Sequence, residues 1–367
     1  MKKTLFALSA LFIVTSLQAQ KNNYDIVGMN DYEILSQRRI IRVPDILGFQ
    51  TLKCEFHSHT IYSDGHVLPG SRVEEAWMDG LDAIAITDHL GSRPFKEMDD
   101  NTSYGIAKTY ADRVGMMLIR STELTYSEPT GHLNAFFIKD ADAIFKTQKP
   151  GKENHPENCV KGVEEAVNQG AFVVINHPGW PDNESTLHPH QIEFIKKGWV
   201  QGVEMFNDGE YYPKTMDDIL KYNLTTIAAT DVHGTTYHSY RGAIRPMTLV
   251  LAKERSLDAI KEALIARRTI GFFGGNLFGK KEYVTALFKA SVSLKEISTD
   301  KNGKKTYEIT NHSDIPFHLE NAPKEYIWLK PNSAARFVVD PNDGPLQFTV
   351  KNIFLSSKEL LKVSLPF

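Results

Sequence analysis

Six of the thirteen histidines in this chain fall in short motifs at the ends of β-type apolar runs, with carboxylates close by. His57-Ser58-His59 is followed by Ser63-Asp64-Gly65, and Thr87-Asp88-His89 closes a second run. Glu123 lies in a third run, Gly131-His132 opens a fourth, Asn176-His177-Pro178 closes a fifth, and Asp231-Val232-His233 closes the last. Residues i and i+2 of a strand point the same way, so His57 and His59 can face one centre, and so can Asp231 and His233. Imidazole and carboxylate donors suit Zn, Fe or Mn, and the lack of thiolate argues against a closed structural zinc site. His57, His59, Asp64, His89, Glu123, His132, His177, Asp231 and His233 are therefore the candidate ligands. They are too many for one ion.

Several ions held by few carboxylates leave a positive centre that attracts an anion, and a metal-bound water ionises near neutral pH. The expected nucleophile is this metal-bound hydroxide; no Ser or Cys nucleophile motif is present. Arg93, four residues after His89, is a candidate phosphate clamp, with Arg241 a second candidate. Trp180 and Tyr126 are candidates for stacking on a base or sugar. Asp88 is expected to orient a neighbouring histidine rather than bind metal. His66, His188 and His190 are read as solvated loop positions.

Strands are expected at 52–59, 83–89, 117–126, 133–138, 171–177, 202–207 and 226–233, with helices at 72–79, 104–114, 160–168 and 214–221. Alternating order of this kind predicts parallel strands with right-handed crossovers and functional loops at the strand C-termini. An amphipathic helix over 256–268 is followed by a glycine-marked break at Gly271, Gly274, Gly275 and Gly279. Short β-type runs at 306–310, 326–329, 336–339, 346–350 and 361–365 follow, separated by turn chemistry. They predict a small all-β, sandwich-like domain. Its His312 and His318 have no carboxylate–histidine pattern beside them.

With 367 residues, 41% apolar and 24% charged, the composition is that of a soluble globular protein of one large domain or two. A formal net charge of −3 gives no electrostatic footprint for nucleic acid. Cys54 and Cys159 read as small apolar residues rather than a disulfide framework. Lys2 and Lys3 followed by an apolar run from Leu5 to Val14, with Ala19 near its end, predict a cleaved signal peptide over residues 1–20. The run is too short for a permanent span. The expected product is exported, periplasmic or secreted.

Phe56-His57-Ser58-His59-Thr60, Ser63-Asp64-Gly65, Thr87-Asp88-His89, Glu123, His132, His177 and Asp231-x-His233 occur in the order of the polymerase and histidinol phosphatase (PHP) superfamily, which residues 50–275 resemble. The resemblance implies a distorted seven-stranded (β/α) barrel over residues 21–275, then a linker helix and β-sandwich-like domain over 276–367. It implies that His57, His59, Glu123 and Asp231 hold one metal, that Glu123 bridges to a second held also by His132 and His177, and that Asp64, His89 and His233 hold a third. The metals would be two or three divalent Zn, Mn or Fe ions. The expected activity is hydrolysis of a small-molecule phosphate ester, a monoester slightly ahead of a diester. An amidohydrolase-like reaction and a non-catalytic metal- or ligand-binding role are the alternatives from other classes. The leader and tail resemble a two-domain exported branch of predicted phosphoesterases, and the tail is expected to bind a partner or a glycan.

Overall fold

The computed structural model describes residues 37–94, 98–127, 130–148, 156–181, 183–321, 325–340 and 346–365. The signal-peptide reading and the turn at 341–345 lie outside the described residues. The chain runs β1 (Gln50–Glu55), α1 (Pro69–Met78), β2 (Ala83–Ala85), α2 (Thr102–Val114), β3 (Met117–Ile119), β4 (Ser121–Leu124) and β5 (Leu133–Phe136). Next come α3 (Ala141–Phe145), α4 (Pro156–Asn168), β6 (Phe172–Ile175), α5 (Pro189–Lys196), β7 (Val200–Asn207), β8 (Glu210–Tyr211), α6 (Pro213–Tyr222) and β9 (Thr225–Ala228). Then follow α7 (Thr236–Tyr240), β10 (Met247–Ala252), α8 (Leu257–Ile265), β11 (Thr269–Phe273), β12 (Asn276–Gly279) and α9 (Lys281–Ser291). The tail is β13 (Val292–Thr299), β14 (Lys305–Asn311), β15 (Phe317–Asn321), β16 (Glu325–Leu329), β17 (Ala334–Val339), β18 (Leu346–Phe354) and β19 (Leu360–Leu365). No helix among the described residues is long and apolar enough to cross a membrane.

Local chemistry explains the boundaries. Proline at the first turn starts α1 and α6, where its missing N–H costs nothing. Ser256 caps α8 by accepting from the Ala259 N–H at 3.1 Å, and Asn223 ends α6 in the left-handed region. All four residues of β6 are buried, as expected of a strand covered on both faces.

One sheet has the order β16-β15-β18-β12-β11-β10-β1-β2-β3 with β19 on β18; a second has β4-β5-β6-β7-β8 with β9 on β7. Parallel bridges at Ser58↔Val232 and His89↔Glu123 join the two where β1, β2 and β9 run out. The expectation of all-parallel strands is corrected at β5, which is antiparallel to both β4 and β6. A parallel return needs about a dozen connecting residues, and the link 125–132 between β4 and β5 has only eight. This reversal brings the start of β5, with His132, to the rim where its neighbours end. The anticipated strand at 117–126 is interrupted at Arg120, and the glycine-marked break is a hairpin: Gly274 and Gly275 turn β11 antiparallel onto β12, at φ +53° and +81°.

The tail forms two faces, β13-β14-β17 on one side and β15, β16, β18 and β19 on the other. Strands β13 and β15 were not foreseen, since exposed polar residues dominate the first and a buried Phe317-x-Leu319 pair is all the second offers. One apolar cluster runs from Ile84, Leu118 and Leu249 through Leu277 and Phe288 to Phe317, Phe337 and Phe348. The all-β segment therefore shares its core with the α/β part, and β12 pairs directly with β18.

Candidate metal centre

Strand β1 alternates buried apolar Cys54 and Phe56 with Glu55, His57 and, beyond its end, His59, all fully buried. The two rings converge: His57 Nε2 lies 3.1 Å from His59 Nε2. Asp231 Oδ1 is 3.1 Å from His57 Nε2 and 2.9 Å from His59 Nε2, and Glu123 Oε2 is 3.4 Å from each. Donors bound at 2.0–2.2 Å to one ion stand about 2.9–3.5 Å apart in tetrahedral or octahedral shells. This cluster has that spacing. Glu123 Oε2 and Asp231 Oδ1 are also buried without a hydrogen-bond donor, as atoms reserved for a cation are.

Glu123 turns its other oxygen to a second cluster. His132 Nδ1 is 2.9 Å and His177 Nε2 3.7 Å from Oε1, which Asn176 Nδ2 also reaches at 2.8 Å. Among the candidate ligands, His132 Nδ1 joins Glu123 Oε2 and Asp231 Oδ1 as a buried atom without a hydrogen-bond partner. At the outer edge Asp64 Oδ1 is 3.2 Å from His233 Nε2, and Oδ2 is 3.4 Å from His89 Nε2. The ligand atoms fall into three overlapping groups: His57, His59 and Asp231; His89, Glu123 and His132; and His59, Asp64, His89 and His233. Eight of the nine sequence-expected side chains fall in these groups, His177 stands beside them at 3.7 Å from Glu123 Oε1, and the donor chemistry fits divalent transition metals.

The backbone is bent to aim them. His177 and Asp231 hold φ of +22° and +51°, a conformation that costs about 1–3 kcal/mol each and gathers at functional sites. At Gly65 a Cβ would sit 2.7 Å from the His59 carbonyl carbon and the Thr60 nitrogen, so only glycine lets the Asp64 loop fold against the His-x-His turn. Arg72, buried on α1, donates to the His59, Val232 and His233 carbonyls and clamps the two ligand-bearing strand ends together.

The charges are strongly coupled. Burial opposes a proton on His57, but Asp231, Glu204 and Glu123 outweigh it and raise its pKa well above the usual value. His59, equally buried, is pushed down by that burial, with the neighbouring His57 adding to the effect. Burial likewise disfavours charge on His89, yet Asp64 and Glu123 push it up to about 10. Hydrogen bonds from His233 and His89 hold Asp64 far below the carboxylate range.

The remaining candidates are placed differently. Among the described residues the Asp88 carboxylate makes no hydrogen bond to a histidine. It accepts from Thr60 N and Oγ1 (2.7 Å each), Ser63 Oγ (2.8 Å) and Ser103 Oγ (2.6 Å), so it shapes the loop and reaches His59 only through Ser63, 3.2 Å from Nδ1. Arg93 stacks 4.2 Å over Phe145 and binds Asp100 and Asp142, the latter at 2.6 Å. These two carboxylates hold the guanidinium, and Arg93 is not among the residues lining the cleft above the ligands. Arg241 is an exposed left-handed cap of α7. Tyr126 is buried in the core and unavailable for stacking, whereas Trp180 is 57% exposed with its ring 5.1 Å from His132 and 5.5 Å from His177. His66 is exposed, His190 meets Thr130 Oγ1 at 2.8 Å, and His312 meets Ser293 Oγ at 2.7 Å.

Sequence reasoning missed the supporting carboxylates. Glu204 Oε1 lies 2.8 Å from His57 Nδ1, and its Oε2 accepts from the His177 N–H and from Asn207 Nδ2, both at 2.8 Å. Glu55 accepts from the Phe56, His57 and Thr230 N–H groups and pairs with buried Arg245 at 2.6 Å. A lone acid inside an apolar run, as in Val203-Glu204-Met205, is the signal that could have found them: buried carboxylates need partners.

Residues 291–366 match the Ig-like domain family. An uncharacterized protein of Methanocaldococcus jannaschii is 30% identical over 148 residues, 36% of this chain and 62% of that protein, so the match spans less than two thirds of the relative's length. The crystal structure of a two-domain protein containing a predicted PHP-like metal-dependent phosphoesterase from Bacteroides vulgatus is 33% identical, covering 90% of this chain and 98% of that one, with a TM-score of 0.83. At that identity and coverage over both parts of the fold, and with the motif residues gathered as described, the chain belongs to the two-domain PHP-like metal-dependent phosphoesterase family.

Proposed function

We propose that the protein hydrolyses phosphate esters, monoesters ahead of diesters, with two or three Zn, Mn or Fe ions held by the nine side chains. The observation that carries this reading is Glu123, whose two oxygens face different clusters, as a carboxylate shared between adjacent cations must. Bound ions of this kind supply Lewis acidity and an acidified water, with a pKa brought from 15.7 towards about 7. The chain's part is to fix the donors: Glu204 orients His57, Asn176 holds Glu123, and Arg72 locks the strand ends. Asp64, His89 and His233, the most exposed trio, offer a position for the additional charged oxygen that a monoester dianion has and a diester lacks.

Two further readings go with it. The two bridged sheets support a distorted seven-stranded barrel with staves β1, β2, β3 with β4, β5, β6, β7 and β9, over residues 21–275, with 276–367 as the appended part. The basic and apolar leader supports export to the periplasm or medium. The test of function is protein stripped by chelator, reloaded with Mn, Zn or Fe, and assayed on p-nitrophenyl phosphate, its diester counterpart and a p-nitroanilide. Restored phosphatase activity at more than one metal per chain is expected; full metal content without phosphoester turnover overturns the reading.

A further inference from the structure

Away from the metal centre, a recess of about 60 Å³ opens where the last turn of α6, the starts of β9 and β11 and the end of β12 meet. One water occupies roughly 10–15 Å³ of such space, so there is room for a few waters or one tetrahedral oxyanion. Ile219, Leu224 and Phe278 give it apolar walls, and Arg267, Thr269 and Lys280 face it with polar atoms. No acidic residue is among the described residues that line it. Thr226 lies in the recess at the start of β9, whereas Asp231 lies beyond the other end of that strand, so the two sites are separate.

Strand β11 turns Thr269 towards this space. Thr269 and Gly271 share one face of the strand. A Cβ at Gly271 would meet Ala228 at 3.2 Å and Thr226 at 3.5 Å, so that face looks onto β9. Thr269 is only 2% exposed, yet its hydroxyl has no hydrogen-bond partner. Buried hydroxyls are as a rule bonded, and this one is left over at the wall of the recess.

The two cations are unmatched. Arg267 donates from Nε to the Asn223 carbonyl at the end of α6 and from Nη1 to the Ile265 carbonyl at 2.9 Å. These use only part of its five-donor fork. Lys280 is half-buried; burial and the charge of Arg267 push its ammonium pKa down, and Glu282 offsets this in part. Among the described residues neither cation has a carboxylate within ion-pair distance, whereas the adjacent Arg268 is paired with Glu262. Two half-buried, mutually repelling cations without a counter-charge are unfavourable, and an anion seated between them relieves both. We propose that this recess binds a compact tetrahedral oxyanion, sulfate or phosphate, held by Lys280, Arg267 and the Thr269 hydroxyl. The site does not depend on the phosphoesterase reading.

The test is calorimetric titration of the metal-loaded protein with sodium sulfate and, separately, with inorganic phosphate, at constant ionic strength. A binding event is expected that weakens about tenfold in Lys280→Gln and in Thr269→Val, each of which removes one contact to the anion. Metal content and any phosphoester turnover should stay as in the wild type, because neither residue touches the metal centre. Crystals soaked in selenate, a sulfate analogue located by its anomalous scattering, should show the ion between Lys280, Arg267 and Thr269. Should Thr269→Val fail to fold, Lys280→Gln at its half-exposed position still decides the outcome. Tighter binding of phosphate than of sulfate, or the reverse, names the anion, and either supports the site. Affinities unchanged in the variants, or selenate found at the metal centre alone, overturn it. A selenate peak in the recess without measurable binding in solution marks an adventitious ion only and overturns it as well.

Discussion

Glu204 ties two metal-ligand clusters together: one oxygen lies 2.8 Å from the His57 Nδ1, and the other takes the backbone N–H of His177, also at 2.8 Å. A histidine whose Nδ1–H is held by a carboxylate offers Nε2 as a lone pair in a fixed direction. Glu204→Gln keeps the shape but weakens that hold. Metal affinity and kcat/KM are expected to fall about 10–100-fold, measured by chelator competition and steady-state kinetics. An unchanged affinity removes Glu204 from any role in orienting the ligand.

Glu123 is the one carboxylate reaching both inner clusters. Glu123→Gln removes a full negative charge from between cations, whereas His132→Ala removes one neutral donor. The expected order is a larger activity loss for Glu123→Gln, with at least one metal missing by elemental analysis. Equal, small effects would count against sharing.

Metal binding has to displace protons. Carboxylate neighbours raise the pKa of His57, His177 and His233 above the ordinary imidazole value and push His89 up to about 10, so these rings hold their protons more tightly than free imidazole. A folded-state pKa of about 10 for His89 against 6.5 unfolded stabilises the metal-free fold fully below about pH 6.5, and that contribution fades as pH rises towards 10. Metal needs the neutral rings and gains in the opposite direction. The rise in Tm on adding Mn²⁺ is therefore expected to grow from pH 6 to pH 8.5, with proton release detectable by calorimetry in buffers of different ionisation enthalpy. A constant shift across that range would show that the rings are already neutral.

The Glu55–Arg245 pair lies beneath the His-x-His strand with both side chains at most 1% exposed. Arg245→Met leaves a buried carboxylate uncompensated and should cost about 3–5 kcal/mol, read by urea unfolding. Adding Glu55→Gln should recover a large part of that loss. No recovery would mean that Arg245 acts by packing alone.

Legibility in the sequence followed the range of the interactions. The convergence of His57 and His59 was legible because extended i, i+2 spacing puts both rings on one face, whereas Asp231 and His233 share the spacing but fall in different groups, with Asp231 in a left-handed backbone. The direction of β5 was hidden, because nothing in Leu133–Phe136 encodes orientation; only the shortness of the preceding link does. Arg93 looked free because one of its acidic partners, Asp142, lies 49 residues away. Asp88 looked like a histidine partner because its real partners, Thr60, Ser63 and Ser103, are hydroxyls that carry no motif. The core shared between barrel strands and tail was invisible for the same reason: Leu277 and Phe348 are ordinary apolar residues until β12 lies beside β18.

That shared core has a mechanical consequence. Domains that close over a substrate need a hinge, a few residues free to absorb a change in φ and ψ between separately packed bodies. Here the ladder from β12 to β18 and the apolar continuity from Leu249 to Phe348 leave no such seam. The all-β segment is a buttress, not a lid. Turnover should then be insensitive to viscosity effects on large-scale rotation of that segment.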